Sequence, residues 1–434
     1  MTEVDLRAEF EAILPGSWMI DAFHFPGPVP LYWARTHPEP YRRGCQEFAS
    51  FYGLLIDGLE YRYLHVFAYA AVHPVSADEV GQRFARAQEV LANKLWLKQL
   101  EEWDSVVKPA AIAAQRELQS VDPDRLSDAE LVGYLERCHD NLVEMIYQYM
   151  RFTGAADIAG GDLLAHLSDW TVVTPGELEV LNRGEGRLSA GTSVELGRAV
   201  QAIESDPAAR ALLASDADPA EVLASLRGLD GDAGRAVSDY VELVGYRLLD
   251  GVDISYRYAL EVPAALLQTL REAGVAEDDQ VKTTIAEIRA RVPDEHRARF
   301  DELVEDARTM HRIGVERGVF GSFWAAGLMR RAMLSAGRRL VSRGQLHDTE
   351  DVIDAGYDQL RAMILGLDGP SADELAERRA RRTSGSATDA PATLGPPAPP
   401  LPDPSGSSAA TRVMRAFGVK LGVFFPSHAE ESGP

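Results

Sequence analysis

Between Asp239 and Arg271 the chain reads DYVELVGYRLLDGVDISYRYALEVPAALLQTLR, a polar turn set among segments that otherwise read as helix and core. The turn places two carboxylates, Asp250 and Asp253, beside Gly251, Arg247, Tyr246, Tyr256 and Arg257. Charge of that density, buried or lining a cleft, costs several kcal/mol unless it is paired or used. Any fold for this chain must therefore supply partners to the turn or put it to chemical work.

The rest of the chain reads mainly as helix. Ser76 with Glu79 opens a long helical run through Leu91, Leu95 and Leu100, which Pro109 should break or kink. Ser127 with Glu130 forms a second capping box ahead of a broad apolar face through Phe152. On that helix Asp140 and Glu144 are four apart, a spacing open to a divalent ion or to a solvated stripe. Residues 48–71 carry a pattern that a strand pair or a buried helix could produce. Pro293, Asp294 and Glu295 mark another helix start. The expected fold is mainly α, a multi-helix substrate-binding domain with a deep apolar cavity and few or no strands.

The expected organisation has five parts. Residues 1–47 form an irregular segment rich in Pro and aromatics, pinned to the body by Trp18, Phe23, Phe25, Tyr32 and Trp33. Helical subdomains follow at 48–236 and 237–368, the second carrying the polar turn 246–257. Residues 369–410, rich in Pro, Ser and Gly, read as an extended linker, and 411–434 as a short helix and tail.

Charge excludes whole classes of partner. The 44 basic against 67 acidic residues leave a net charge of −23, which repels nucleic-acid backbones and anionic membrane surfaces. No run of about 18 apolar residues reads as a membrane span. Cys45 and Cys138 read as two buried thiols, which with no visible export signal fits a cytoplasmic protein. GxGxxG and GxxxxGK[ST] are both absent, so the chain by itself shows no nucleotide-binding fingerprint. His24 and His37 could serve a metal only with further ligands from elsewhere.

Three stretches together resemble a known family: GYRLLDGVDIS, RIGVERGVFGSFWAAGLMRRAMLSAGRRLVSRGQLHDTEDVIDAGYDQL, and ATLGPPAPPLPD followed by RVMRAFG. They are similar to the central region of the phosphoenolpyruvate-utilising enzymes, in particular the rifampicin phosphotransferase branch, over about residues 40–425. The resemblance implies a system in which an ATP-grasp domain phosphorylates a histidine on a swivelling domain. That histidine then delivers the phosphoryl group to a helical substrate-binding domain, which this chain resembles by itself. The TSHxAI-type phosphohistidine segment is missing, and Ser427 and His428 lack its glycine-rich surroundings. The family's Gly-His pair is Gly245 and Tyr246 here, its acidic residue is Gly251, and Asp250 stands where the rifampicin enzymes have Gly. Asp253 and Arg247 match the family framework, whereas Tyr246, Asp250 and Gly251 mark where new specificity would be written.

Two function classes follow. In the first, the chain binds a hydrophobic small molecule for separate ATP-grasp and phosphohistidine-domain proteins, with Arg330, Arg331, Arg338 and Arg339 facing the incoming phosphate. A solvated basic face with acidic partners would produce the same sequence. In the second, a repurposed biosynthetic lyase, cyclase or isomerase works in the helical cavity, with Asp250 and Asp253 holding Mg²⁺ or acting as acid and base. A helix-capping turn would also account for that pair. The candidate catalytic residues are thus Asp250, Asp253, Arg247 and Tyr246. The candidate substrate-binding residues are Tyr256, Arg257, Phe320, Trp324, Arg330 and Arg331.

Overall fold

The computed structural model describes residues 16–174, 176–177, 180, 193–273 and 278–424. Residues 1–15 and the terminal Ser427 and His428 lie outside that set. The described part of the N-terminal segment is more regular than its composition predicts. It begins with β1 (Trp18–Ile20), passes through a short helix Leu31–Thr36 and enters α1 (Pro38–Tyr52). Trp18, Phe25, Tyr32 and Trp33 are buried as expected, but Phe23 is 58% exposed, with its ring edge-on to His24.

The ambiguous stretch is a hairpin of β2 (Ile56–Leu64) and β3 (Phe67–Pro74), with Leu64 opposite Phe67. Its aromatic and β-branched residues suit a pleated surface. The long helix expected from Ser76 starts at Val80 and stops where Lys94 turns left-handed (φ 45°). Helical structure resumes at Trp96–Glu102, passes through a π-type turn at Trp103–Val107 and continues over Lys108–Ser120. Pro109 sits in the first turn of that last piece, directly after the π-type turn.

The Ser127–Glu130 capping box is present and opens α2 (Asp128–Arg151), followed by α3 (Thr153–Trp170). Asp140 and Glu144 are exposed on α2. Further on come α4 (Asp232–Val244), α5 (Arg297–Glu316) and α6 (Phe323–Ser342). A π-type turn, Arg317–Ser322, joins α5 to α6, with Gly321 outside helical geometry (φ −111°, ψ −106°).

The stretch read as an extended linker is docked structure. It contains α7 (Ala372–Ser384) and β4 (Thr393–Leu394), and α8 (Ser408–Phe424) follows. Arg382 on α7 makes a bidentate ion pair with buried Asp354, at 2.7 and 2.9 Å. β4 completes an antiparallel sheet of order β2-β3-β1-β4, with Trp18 opposite Leu394. Proline removes donors but leaves apolar rings and carbonyls to pack, so composition alone hid this docking. The fold is mainly α with this one small sheet among the described residues.

One large apolar core runs from Phe25 to Phe417 and draws on both helical regions. Cys45 and Cys138 are free and buried, and burial pushes both thiols up to about 12. No helix of the described residues is long and apolar enough to cross a membrane.

The last helix is fastened to α3. A Cβ at Gly161 would lie 2.1 Å from the carbonyl oxygen of Ala416, so only glycine lets the two backbones approach this closely. Beside it, buried Asp162 accepts hydrogen bonds from both arms of Arg412, one of them at 2.9 Å, and lies 3.2 Å from the His166 Nδ1. Burial alone would push the Asp162 carboxyl up, but Arg412 and His166 outweigh it and bring it down to about 2. A depressed acid contributes stability above its unfolded pKa and loses it as pH falls through the folded one. The contribution is therefore complete above pH ~4 and gone below pH ~2, worth about 2 kcal/mol. His166 works in the opposite sense: the Asp162 hydrogen bond raises its pKa, so its contribution is lost as pH climbs through the raised value. Asp162→Asn should cost at least about 2 kcal/mol at pH 7 in urea unfolding, because it also strands Arg412. It should also flatten the loss of stability between pH 4 and 2, and an unchanged acid slope would contradict the assignment.

Candidate functional site

The polar turn is a closed loop. Leu249 N–H donates to the Arg257 carbonyl at 3.0 Å and Ala259 N–H to the Arg247 carbonyl at 3.0 Å, which zips its base. Gly251 is left-handed (φ 57°), and a Cβ there would sit 2.1 Å from the Tyr256 ring. The absence of a side chain at this position thus lets Tyr256 fold over the tip. At the tip, Asp253 accepts the Ser255 N–H at 2.7 Å.

The two carboxylates occupy different environments. Asp250 is exposed, while Asp253 is only 3% exposed. Burial raises the Asp253 pKa, with the Ser255 hydrogen bonds and Arg382 opposing. One carboxylate lies in solvent and the other in protein, which is not the shared cleft that an acid/base pair or a Mg²⁺ ion needs. Among the described residues, no group of three or more His, Cys, Asp or Glu side chains converges as a metal site would require.

The arginines are committed to the fold. Arg330, 1% exposed, binds Glu261 in bidentate fashion at 2.8 and 2.9 Å, Glu350 at 2.5 Å and the Ile254 carbonyl at 3.1 Å. Burial lowers its pKa, but the two glutamates more than compensate. It therefore ties the turn to α6 and to the segment Thr349–Asp354. Arg331 donates to the carbonyls of Gln119 and Val121 at 3.0 and 2.8 Å, and its guanidinium lies over the Tyr246 ring. Arg338 pairs with Asp124 and Arg339 with Asp128. Of the four residues expected to face phosphate, Arg331, Arg338 and Arg339 instead hold the segment that leads into α2, and Arg330 anchors the polar turn.

The remaining candidates also pack. Arg247 is fully buried, 4.7 Å from the Phe320 ring centre and 5.9 Å from that of Trp324, and burial lowers its pKa to about 10. Trp324 is fully buried and donates to Gln119 at 3.1 Å. Tyr246 packs against Tyr258, and Arg257 is exposed.

A cavity of about 140 Å³ lies elsewhere, and the turn reaches it only through Val252. A pocket near that size accommodates a single aromatic ring. Its walls come from the N-terminal segment (Phe25, Trp33), α1 and β2 (Phe48, Tyr61), the α5–α6 turn and α8 (Phe417). Two sets of polar groups enter it. The first is His24 and His37. Buried Asp21 holds His24 Nδ1 at 2.8 Å and accepts the Tyr61 hydroxyl at 2.6 Å. His37 stacks on Trp33, meets the Tyr63 hydroxyl at 3.0 Å, and is driven by burial down to about 3, so it is neutral.

The second set is Asp157 on α3, Arg317 in the π-type turn and Lys420 on α8. Arg317 donates to the Tyr149 carbonyl and the Thr153 hydroxyl, both at 2.7 Å, and lies 3.9 Å over the Tyr149 ring. Burial raises the Asp157 pKa against the fields of Arg317 and Lys420. Sequence reading passed over this set. Its signal was single charges inside apolar helical runs, Asp157 in TGAADIAGG and Lys420 in GVKLGVFF.

A mainly helical protein with an aromatic cavity where its first and last segments meet is thus the class defined by the fold. Residues 151–340 match the family model of the rifampicin phosphotransferase fourth domain. That segment is similar to the rifampicin phosphotransferase fourth domain, in line with the sequence resemblance but over a narrower span than 40–425. No curated protein matches the chain. The matched segment supplies Asp157, Val252, Arg317 and Phe323 to the cavity, and the flanking chain supplies His24, His37, Phe417 and Lys420.

Arg330→Met should cost about 3–5 kcal/mol because it strands two glutamates, whereas Asp250→Ala should stay within about 0.5 kcal/mol of wild type. Urea unfolding of both variants checks this, and the reverse order would contradict a structural role for Arg330.

Proposed function

We propose that this chain binds an apolar, ring-sized small molecule in the cavity, as the substrate-binding part of a rifampicin-phosphotransferase-type system. Separate ATP-grasp and phosphohistidine-domain chains would phosphorylate that molecule. The observation that carries this reading is the cavity itself, which shares its walls between the matched segment and the flanking chain. Aromatic walls with a few polar groups are the usual make-up of a ligand pocket. The arginines once assigned to phosphate are taken up by protein acceptors, so the receiving end would lie at the cavity rather than along α6.

One observation favours a second class, a lyase, cyclase or isomerase working in the same cavity. His24 lines the cavity with its ring fixed by buried Asp21, the arrangement of an oriented general base.

Indole, a neutral ring of suitable size, should bind at one site per chain in calorimetry. Val252→Trp, which fills the cavity from a half-buried position on the turn, should abolish binding while preserving the fold. With ATP and the two partner chains, labelled phosphate should reach a bound hydroxylated ring. Tight indole binding that survives Val252→Trp would contradict the cavity reading, and absence of label on every ring tried would contradict the phosphotransferase reading.

A further inference from the structure

The second set of polar groups carries an unbalanced charge. Among the described residues, neither Arg317 nor Lys420 forms an ion pair, and no hydrogen bond reaches the Asp157 carboxylate. Arg317 is 9% exposed, and among the described residues it is satisfied only by neutral acceptors and its buried Nε has no partner. Several other cations have carboxylates within reach: Arg312 has Asp104 and Glu316, Lys108 shares Glu316, and Arg412 has Asp162. Buried Asp21 adds a further carboxylate at the cavity's other polar set, where His24 and the Tyr61 hydroxyl take it up. His311 is held below its usual pKa by burial and by Lys420, and its buried Nε2 is unpartnered among the described residues. His37 is neutral. Two cations therefore face one carboxylate. The local charge is +1 when Asp157 is ionised, and when Asp157 is protonated it is +2 with a hydroxyl donor added.

We infer that the cavity selects ligands bearing an anionic group, an aromatic or apolar ring carrying a carboxylate or phosphate, with Lys420 and Arg317 as its counter-charges. The inference rests on the cavity reading above and deepens it. Desolvated cations without carboxylate partners are costly to keep and are relieved by an incoming anion. Arg317 offers a planar guanidinium already fixed by Tyr149 and Thr153, so little is lost in ordering it. Lys420 lies along Gly160 of α3, where a Cβ would approach its Cε to 3.2 Å, and so is positioned by the same helix that carries Asp157. Asp157 opposes the anion and so sets how strong the preference is.

The test compares phenylacetate with its neutral isostere phenylacetamide, by calorimetry at pH 7, with indole as a control for the cavity. Phenylacetate should bind roughly tenfold tighter than the amide, a gap typical of one added charge contact. Lys420→Gln should close that gap by lowering phenylacetate affinity toward that of the amide. Asp157→Asn should widen it, an outcome that a purely structural role for Asp157 does not produce. Equal affinities, a preference for the amide, or a gap indifferent to Lys420→Gln would overturn the anion inference while indole binding keeps the cavity reading standing. If indole also fails to bind, both fall. Phenylacetate binding that survives Val252→Trp would place the anion site outside the cavity and would equally overturn the inference.

Discussion

The contact on which this molecule depends is the seating of its last helix on α3. Gly161 lets the Ala416 carbonyl approach, and the ion pair between Asp162 and Arg412 fixes the register, across 250 residues of intervening chain. Without that helix the cavity would lose Phe417 and Lys420 and open to solvent on that side. A single buried charge pair thus joins stability to the site. Taking either partner away leaves a charge in protein, whereas a hydrophobic contact in its place would allow the helix to slide.

The two π-type turns make a second junction. An extra residue in a helical turn rotates the side chains beyond it, at some cost in backbone geometry. At Trp103–Val107 and Arg317–Ser322 these turns lie together, joined by the Trp103 indole donating to Glu316 at 2.9 Å. The second turn places Arg317, Ser322 and Phe323 on the cavity wall just before α6 resumes a regular helix. The polar loop at 246–257 has a complementary role. Arg330, itself paired with Glu261 and Glu350, donates to the Ile254 carbonyl, so the loop is tied to α6 and touches the cavity through Val252 alone.

The helix start at Ser127 was legible because its signal is local, whereas the helix expected from Ser76 begins only at Val80. The Ser127 box satisfies backbone donors within three residues, so its sequence suffices to place it. The segment 369–410 was not legible. What orders it is Arg382 meeting Asp354 and Leu394 pairing with Trp18, partners that no spacing rule connects. The site shows the same division. Sequence reasoning recognised that the charge at Arg247 and Asp253 must be accommodated, and both side chains are buried. It could not see that Glu261 and Glu350 take up Arg330, or that Asp250 faces solvent. Asp157 and Lys420 left only a weak mark, lone charges in apolar helices far apart in the chain. Their meaning depends on α8 lying against α3.

The central claim is that ligand binds where the first and last segments close over α3, and not along the arginines of α6. Amide hydrogen exchange with and without saturating phenylacetate tests it directly. The account predicts added protection in 21–61, 146–157 and 413–420, with little change in 328–340. Protection concentrated in 328–340, with none in the first and last segments, would contradict it.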